Sequence, residues 1–207
     1  MTIRIERRAE GKERWHWYHG VLFYLLMQGL AFGLCALVSG LGRRRINSVR
    51  ELFGDTAYFK SLKQAKITPP SWAFGPAWTV NNVSVIWGLL RVLRKPERTE
   101  GRAAYLQLQA LSWLNYVIFN AAYFGLRSPI NAFLLTLSML VLTILSGWVA
   151  LLRLRDSRVA LSLATLFLWL LIALTAASFQ ALWNRDDFYG AGPFANPIPA
   201  LVKTEEG

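Results

Sequence analysis

The sequence is poor in most of the residues that carry catalysis. Its 207 residues contain one cysteine, two histidines and 12 acidic residues against 23 lysines and arginines. A single cysteine excludes an intramolecular disulfide framework and a cysteine-based zinc cluster. No Walker loop, HExxH, G-x-S-x-G or GxGxxG pattern occurs, which removes the usual nucleotide, metalloprotease, hydrolase and dinucleotide sites. The sharpest lack is local. Residues Tyr18–Leu41, Ser71–Leu90, Ala103–Leu126, Ser128–Leu152 and Val159–Asn184 contain no Asp, Glu, Lys or Arg.

These stretches run 24, 20, 24, 25 and 26 residues, so all 35 charged residues fall in the other 88 positions. At about 1.5 Å per residue, even the shortest would make a helix of about 30 Å, the thickness of a hydrocarbon core. A soluble amphipathic helix shows a charged face, and none of these can. The composition predicts an all-α membrane protein, a five-transmembrane-helix bundle. The first stretch is longer than a signal-peptide apolar core and ends in Ser39-Gly40-Leu41-Gly42-Arg43, which is no clear cleavage site, so it reads as a retained helix. The net charge of +11 then belongs to loops facing anionic lipid, and nucleic acid is not an expected partner.

Three parts are expected: a charged N-terminal tail over 1–17, a helical membrane domain over 18–184, and a Gly/Pro-rich C-terminal tail over 185–207 that reads as extended. Trp15-His16-Trp17-Tyr18-His19 suits the headgroup level. His16 and His19 are spaced to ligate a haem iron or chlorophyll magnesium, but read better as interfacial residues. Gly29 and Gly33 form a GxxxG surface for close helix packing, Cys35 is a small apolar filler, and Trp148 and Trp183 are expected as interfacial anchors. A long loop over 42–70 opens with Arg43-Arg44-Arg45. It closes at Thr68-Pro69-Pro70, where Thr68 is expected to cap the second helix with Pro69 in its first turn. Ser128-Pro129 and Asp156-Ser157 are expected to start the fourth and fifth helices, and short connections make the second to fifth helices antiparallel neighbours. Arginine and lysine counts lean only slightly toward a cytoplasmic N-terminus.

With no charge mid-membrane, a proton relay or ion-coupled transporter lacks its usual parts. Aromatic, amide and hydroxyl groups remain, and these suit a flat hydrophobic ligand. In the second stretch Phe74, Trp78, Asn82 and Val85 recur at helical spacing beside Asn81. Amides at that depth need partners, so this face is either a ligand wall or a structural contact to another helix. In the fifth stretch Thr165, Trp169, Ala173 and Ala177 step by four, with Ala176 and Gln180 nearby, leaving room for a ligand or for close helix packing. The third stretch adds Gln107, Gln109, Asn115, Tyr116, Phe119 and Asn120. The candidate ligand-binding set is Trp72, Phe74, Trp78, Asn82, Asn115, Phe119, Asn120, Trp169 and Ala173; no metal site or catalytic residue is expected.

The segment Tyr58-Phe59-Lys60-Ser61-Leu62-Lys63, followed by Thr68-Pro69-Pro70-Ser71-Trp72-Ala73-Phe74-Gly75-Pro76-Ala77-Trp78-Thr79, resembles the TspO/translocator protein family of tryptophan-rich sensory proteins. Tyr123-Phe124-Gly125-Leu126-Arg127-Ser128-Pro129 looks like that family's turn between helices 3 and 4, Trp169 like its helix 5 tryptophan, and Leu182-Trp183-Asn184 like its usual end. The resemblance covers 18–184. Departures are Ile67 for a tryptophan before the proline pair, Asn81 and Asn82 for more apolar residues, Tyr116 and Phe119 at an Asn and a Trp, Ala164 for a proline, and Ala177 for a polar residue.

The resemblance implies a five-helix bundle, often dimeric, in a multi-pass and bacterial cell-membrane setting. It implies a pocket for porphyrin, haem or sterol under the long first loop. No cofactor is required, though a porphyrin, haem or chlorophyll-type pigment is a candidate occupant. Some members degrade protoporphyrin in light with tryptophans matching Trp78 and Trp169. Without an acid, base or metal ligand in the membrane, such turnover would rest on the ligand's own photochemistry. The other reading is a structural or assembly subunit of a larger membrane complex, photosynthetic or pigment-synthesising, docked through Phe188, Tyr189, Phe194 and Ile198 of the tail.

Overall fold

A computed structural model describes residues 15–41 and 56–203. The arginine run at 43–45, most of the N-terminal tail and the first part of the long loop lie outside the described residues. Among the described residues seven α-helices follow in order: α1 (Trp17–Leu41), α2 (Thr56–Ser61), α3 (Phe74–Leu93), α4 (Arg102–Asn120), α5 (Pro129–Leu152), α6 (Ser157–Leu161) and α7 (Ala164–Trp183). Among the described residues there is no strand, only isolated bridges pairing Ala65 with Val202 and Asp186 with Ala191. Among the described residues three helical segments, Trp17–Gly40, Pro129–Leu152 and Ser157–Trp183, are long and apolar enough to cross a membrane. The shorter α3 and α4 carry more amide side chains: Asn81 and Asn82 in one, Gln107, Gln109, Asn115 and Asn120 in the other.

The five long helices close into a ring. α1 touches both α3 and α4, α4 packs on α5, α5 on α7, and α7 returns to α3. α3 and α4 meet only lightly although they are joined by a short loop, because α1 takes up a face of each. The main core gathers Val85, Ile86 and Leu90 of α3, Tyr105 and Trp113 of α4, Met139 and Val149 of α5, and Leu166 and Leu170 of α7. Burying such side chains away from solvent or lipid gives the ring dense dispersion contacts.

Helix starts follow the local chemistry with two corrections. Ser128 caps α5, its Oγ accepting the Asn131 N–H at 3.0 Å, with Pro129 in the first turn. Thr68 does not cap the second long helix. The Pro69-Pro70 pair keeps the chain extended, a 3₁₀ turn occupies Ser71–Ala73, and α3 begins only at Phe74. Asp156 does cap, but it caps the short α6, and the helix breaks at Ser162-Leu163 before α7 resumes. At that break the Ser84 hydroxyl donates to the Ser162 carbonyl at 2.8 Å, and Gly88 leaves room for the Ser162 side chain.

Other expectations also shift. Gly29 and Gly33 face outward, with nothing within 4 Å of where a side chain would begin, so they pack on no helix among the described residues. Trp183 is no anchor: it is buried and lies against Phe179 with ring centroids 4.6 Å apart. Trp148 is half exposed, beneath the Arg153 guanidinium. Cys35 is buried, its thiol directed at the Asn120 carbonyl 3.6 Å away. His16 stacks on Tyr18 and donates its backbone N–H to His19 Nδ1 at 3.0 Å.

Asp156 also joins three segments at one end of the bundle. Its Oδ2 is 2.8 Å from both Arg91 Nε and Lys95 Nζ. Burial alone would push its carboxyl up, but hydrogen bonds from Lys95 and Arg91, reinforced by their charges, outweigh that and hold it below the ordinary aspartate value. A depressed folded-state pKa stabilises the fold above the unfolded value of about 3.9 and ceases to do so as pH falls through the folded value. We expect Asp156→Ala to cost about 2 kcal/mol at neutral pH, the lost cap plus the broken pairs. The deficit relative to wild type in detergent unfolding should be constant from pH 7 to about 5 and shrink below about 4.

Candidate functional site

The ring of helices surrounds a partly open cavity of about 400 Å³. Tyr24 and Gln28 come from α1, Phe74 and Trp78 from α3, Tyr116, Phe119 and Asn120 from α4. Thr136 and Met139 come from α5, and Trp169, Ala173 and Gln180 from α7. Phe59, Thr68, Pro69 and Trp72 close it from the loop side. Among the described residues no charged side chain lines it.

The aromatic rings are held by one another. Trp78 stands edge-on to Tyr116 with centroids 5.5 Å apart, and Trp169 edge-on to Phe74 at 5.4 Å. Phe74 in turn meets Phe59 of the loop at 5.3 Å, while Phe119 leans on Tyr123 at 5.8 Å. Edge-to-face packing fixes each ring plane by its quadrupole and by contact. The alanines opposite, Ala173, Ala176 and Ala177, leave the space that larger side chains would fill.

Seven of the nine candidates from the sequence share this one cavity: Trp72, Phe74, Trp78, Phe119, Asn120, Trp169 and Ala173. Asn82 and Asn115 do not reach it. Asn82 is buried behind Trp78 and donates to the Tyr116 hydroxyl at 3.3 Å. Asn115 donates across to the Leu135 carbonyl of α5 at 3.0 Å. Asn81 is buried as well. A second void, about 20 Å³, lies beside Asn82, Gln109, Ser112 and Trp113. It has room for one water molecule and for no organic ligand.

Sequence reasoning missed the polar half of the wall. The Tyr116 hydroxyl donates to Gln28 Oε1 of α1 at 2.5 Å, so Gln28, Tyr116 and Asn82 link three helices. The Tyr123 hydroxyl donates to Gln180 Oε1 at 2.7 Å, joining α7 to a π-helical turn at Ala121–Gly125. Gln28 carried the same signal as Asn82, an uncharged amide in mid-stretch. Tyr123 and Gln180 are visible as a pair only once the helices are packed. Thr68 Oγ1, Trp169 Nε1 and Gln180 Nε2 belong to cavity-lining side chains, are buried, and have no hydrogen-bond partner among the described residues. Buried donors without partners are costly in an apolar setting, and an acceptor on a bound molecule would relieve that cost. Among the described residues no group of three or more His, Cys, Asp or Glu side chains is placed to hold a metal.

A ring-lined cavity, with no charged side chain among its described lining residues, thus lies behind a Pro-Pro entry to the second long helix. A model of the TspO/MBR family matches residues 25–183. The chain belongs to the TspO/MBR family. No curated protein matches it. The match runs from α1 to the last residue of α7 and takes in every helix that contributes to the cavity. Together with three helices long and apolar enough to cross a bilayer, it makes this an integral membrane protein of that family.

Removing the Tyr116 hydroxyl leaves Gln28 and Asn82 each short of a partner. We expect Tyr116→Phe to lower stability by about 1–2 kcal/mol, at the upper end for hydrogen bonds within membranes. Unfolding in mixed detergent micelles reads this directly; an unchanged midpoint would show that the three-helix link carries no stability.

Proposed function

We propose that the protein spans the membrane five times and holds a flat hydrophobic molecule, a porphyrin- or haem-type tetrapyrrole or a sterol, in the cavity between its helices. The observation that carries this reading is that Trp78 and Trp169 line one and the same cavity. They come from helices far apart in sequence, and each is fixed edge-on by another ring. A volume of about 400 Å³ falls within the range of small-molecule sites, about 300–1,000 Å³. Apolar rings with few polar groups favour a ligand recognised by shape and stacking, its polar edge oriented by Asn120, Gln180 and the Trp169 N–H.

The uncharged side chains that line the cavity among the described residues favour a ligand whose inner part is neutral, with any carboxylates left toward the mouth. A receptor, carrier or regulatory role follows from reversible occupancy. Acid–base turnover is not supported by these side chains, and light-driven change of a bound porphyrin would use the ligand's own excited state beside Trp78 and Trp169.

A role as assembly subunit of a larger membrane complex is favoured by one feature. Phe188, Tyr189, Phe194 and Ile198 of the tail are each at least half exposed. Mild-detergent purification returning only this chain would rule that role out.

For the ligand reading, protoporphyrin titrated into the purified protein should quench tryptophan fluorescence saturably. The double substitution Trp78→Phe and Trp169→Phe should weaken apparent affinity at least about fivefold, given about 0.5–1.5 kcal/mol per stacked ring pair. Quenching that does not saturate, or that the double substitution leaves unchanged, would refute it.

A further inference from the structure

We propose that the C-terminal tail is a strap that positions the loop over the cavity, so that Asn184 and residues 201–203 control how readily a ligand enters and leaves. The proposal rests on the cavity being the ligand site and concerns its access. It arises from where the tail goes: away from the end of α7, over the neighbouring helix ends, and back onto the loop.

The first half of the tail is fastened to the bundle. Asp186 is buried, and its carboxylate accepts from Ser128 Oγ at 2.6 Å, the Ile130 N–H at 3.0 Å and the Tyr189 N–H at 2.9 Å. It thereby seats a negative charge on the N-terminus of α5, the favourable end of that helix. The Tyr189 hydroxyl donates to Asn131 Oδ1 at 3.0 Å, and the Phe194 and Ala195 N–H groups both donate to the Leu182 carbonyl, at 2.8 and 3.0 Å.

The second half grips the loop. The Lys66 N–H donates to the Leu201 carbonyl and the Lys203 N–H to the Gln64 carbonyl, both at 2.8 Å, around the bridge of Ala65 with Val202. At the root of the tail, the Asn184 side chain clamps the backbone of Lys63. Its Oδ1 accepts the Lys63 N–H at 2.8 Å, and its Nδ2 donates to the Lys63 carbonyl at 3.0 Å.

The gripped residues, 63–66, lie between Phe59 and Thr68, both of which face the cavity. The inner side of the loop, Tyr58, Phe59 and Leu62, packs with Tyr123 and Ala132. The loop is thus held from within by apolar contact and from without by a hydrogen-bonded strap tied to rigid helix ends. Opening it must break both. The strap lies beyond the matched family region, which ends at residue 183.

Two variants loosen the strap without touching the cavity lining: truncation after Asn196, and Lys203→Pro, which removes the N–H donated to Gln64. In nanodiscs, amide hydrogen exchange over residues 58–68 should quicken in both. Release of protoporphyrin, followed as recovery of tryptophan fluorescence, should be about tenfold faster after truncation, the scale of one to two hydrogen bonds lost from the closed state. Unchanged exchange over 58–68, or faster exchange with an unaltered release rate, would overturn the proposal. Failure of the wild-type protein to take up protoporphyrin would count against the porphyrin reading instead. In that case unchanged amide exchange would still overturn the strap, and faster exchange would still support it.

Discussion

The structure depends on one constraint: a long amide or phenol side chain inside the five apolar stretches has no charged neighbour to turn to and finds its partner on another helix, whereas the hydroxyls of Thr136, Thr143, Thr175 and Ser178 fold back onto the carbonyl four residues earlier. Where partners are found, the helices are tied. Gln28 to Tyr116 to Asn82 joins α1, α4 and α3; Gln109 Nε2 to Ser146 Oγ at 3.0 Å and Asn115 to Leu135 join α4 to α5; Tyr123 to Gln180 brings in α7. In lipid, where apolar side chains gain little by leaving the solvent, such bonds and close packing decide which faces meet. The five long helices are thereby drawn into a ring rather than a solid bundle.

That ring leaves its centre to the aromatic residues. Because hydrogen bonding is settled behind Trp78 and beside Tyr123, the cavity-facing side of each helix is free to carry rings and alanines. The cavity is therefore a consequence of how the amides pair as much as of the tryptophans themselves. Donors on Thr68, Trp169 and Gln180 that have no partner among the described residues lie on its wall; others, on Asn81, Ser112 and Trp113, lie behind it.

Much of this was legible in the residues. Charge exclusion marked the five long helices within a few positions, and helical spacing placed Phe74 and Trp78 on one face and Trp169 and Ala173 on another. What could not be read was which faces would meet. Asn82 and Asn115 had the composition of ligand contacts, but are engaged by Tyr116 and the Leu135 carbonyl, partners 34 and 20 residues away. Gly29 and Gly33 had the spacing of a helix-packing surface, yet α1 turns that face outward and meets α3 at Gly20 instead. Trp183 lay near a helix end like an anchor, but it is buried. The tail's composition announced an extended segment and gave no sign that Asp186 would plug the start of α5, since that requires Ser128 and residue 186 to be neighbours in space.

The central claim is that Trp78 and Trp169 face an enclosed space and not lipid. The most direct measurement is fluorine NMR of fluorotryptophan-labelled protein in nanodiscs containing spin-labelled lipid, each resonance assigned by its Trp→Phe loss. Trp87 and Trp148, both about half exposed on the outer surface, serve as internal standards. The account predicts strong broadening of Trp87 and Trp148 and little of Trp78 and Trp169. Equal broadening of all four would mean that the indoles point into the bilayer and that no shielded cavity exists.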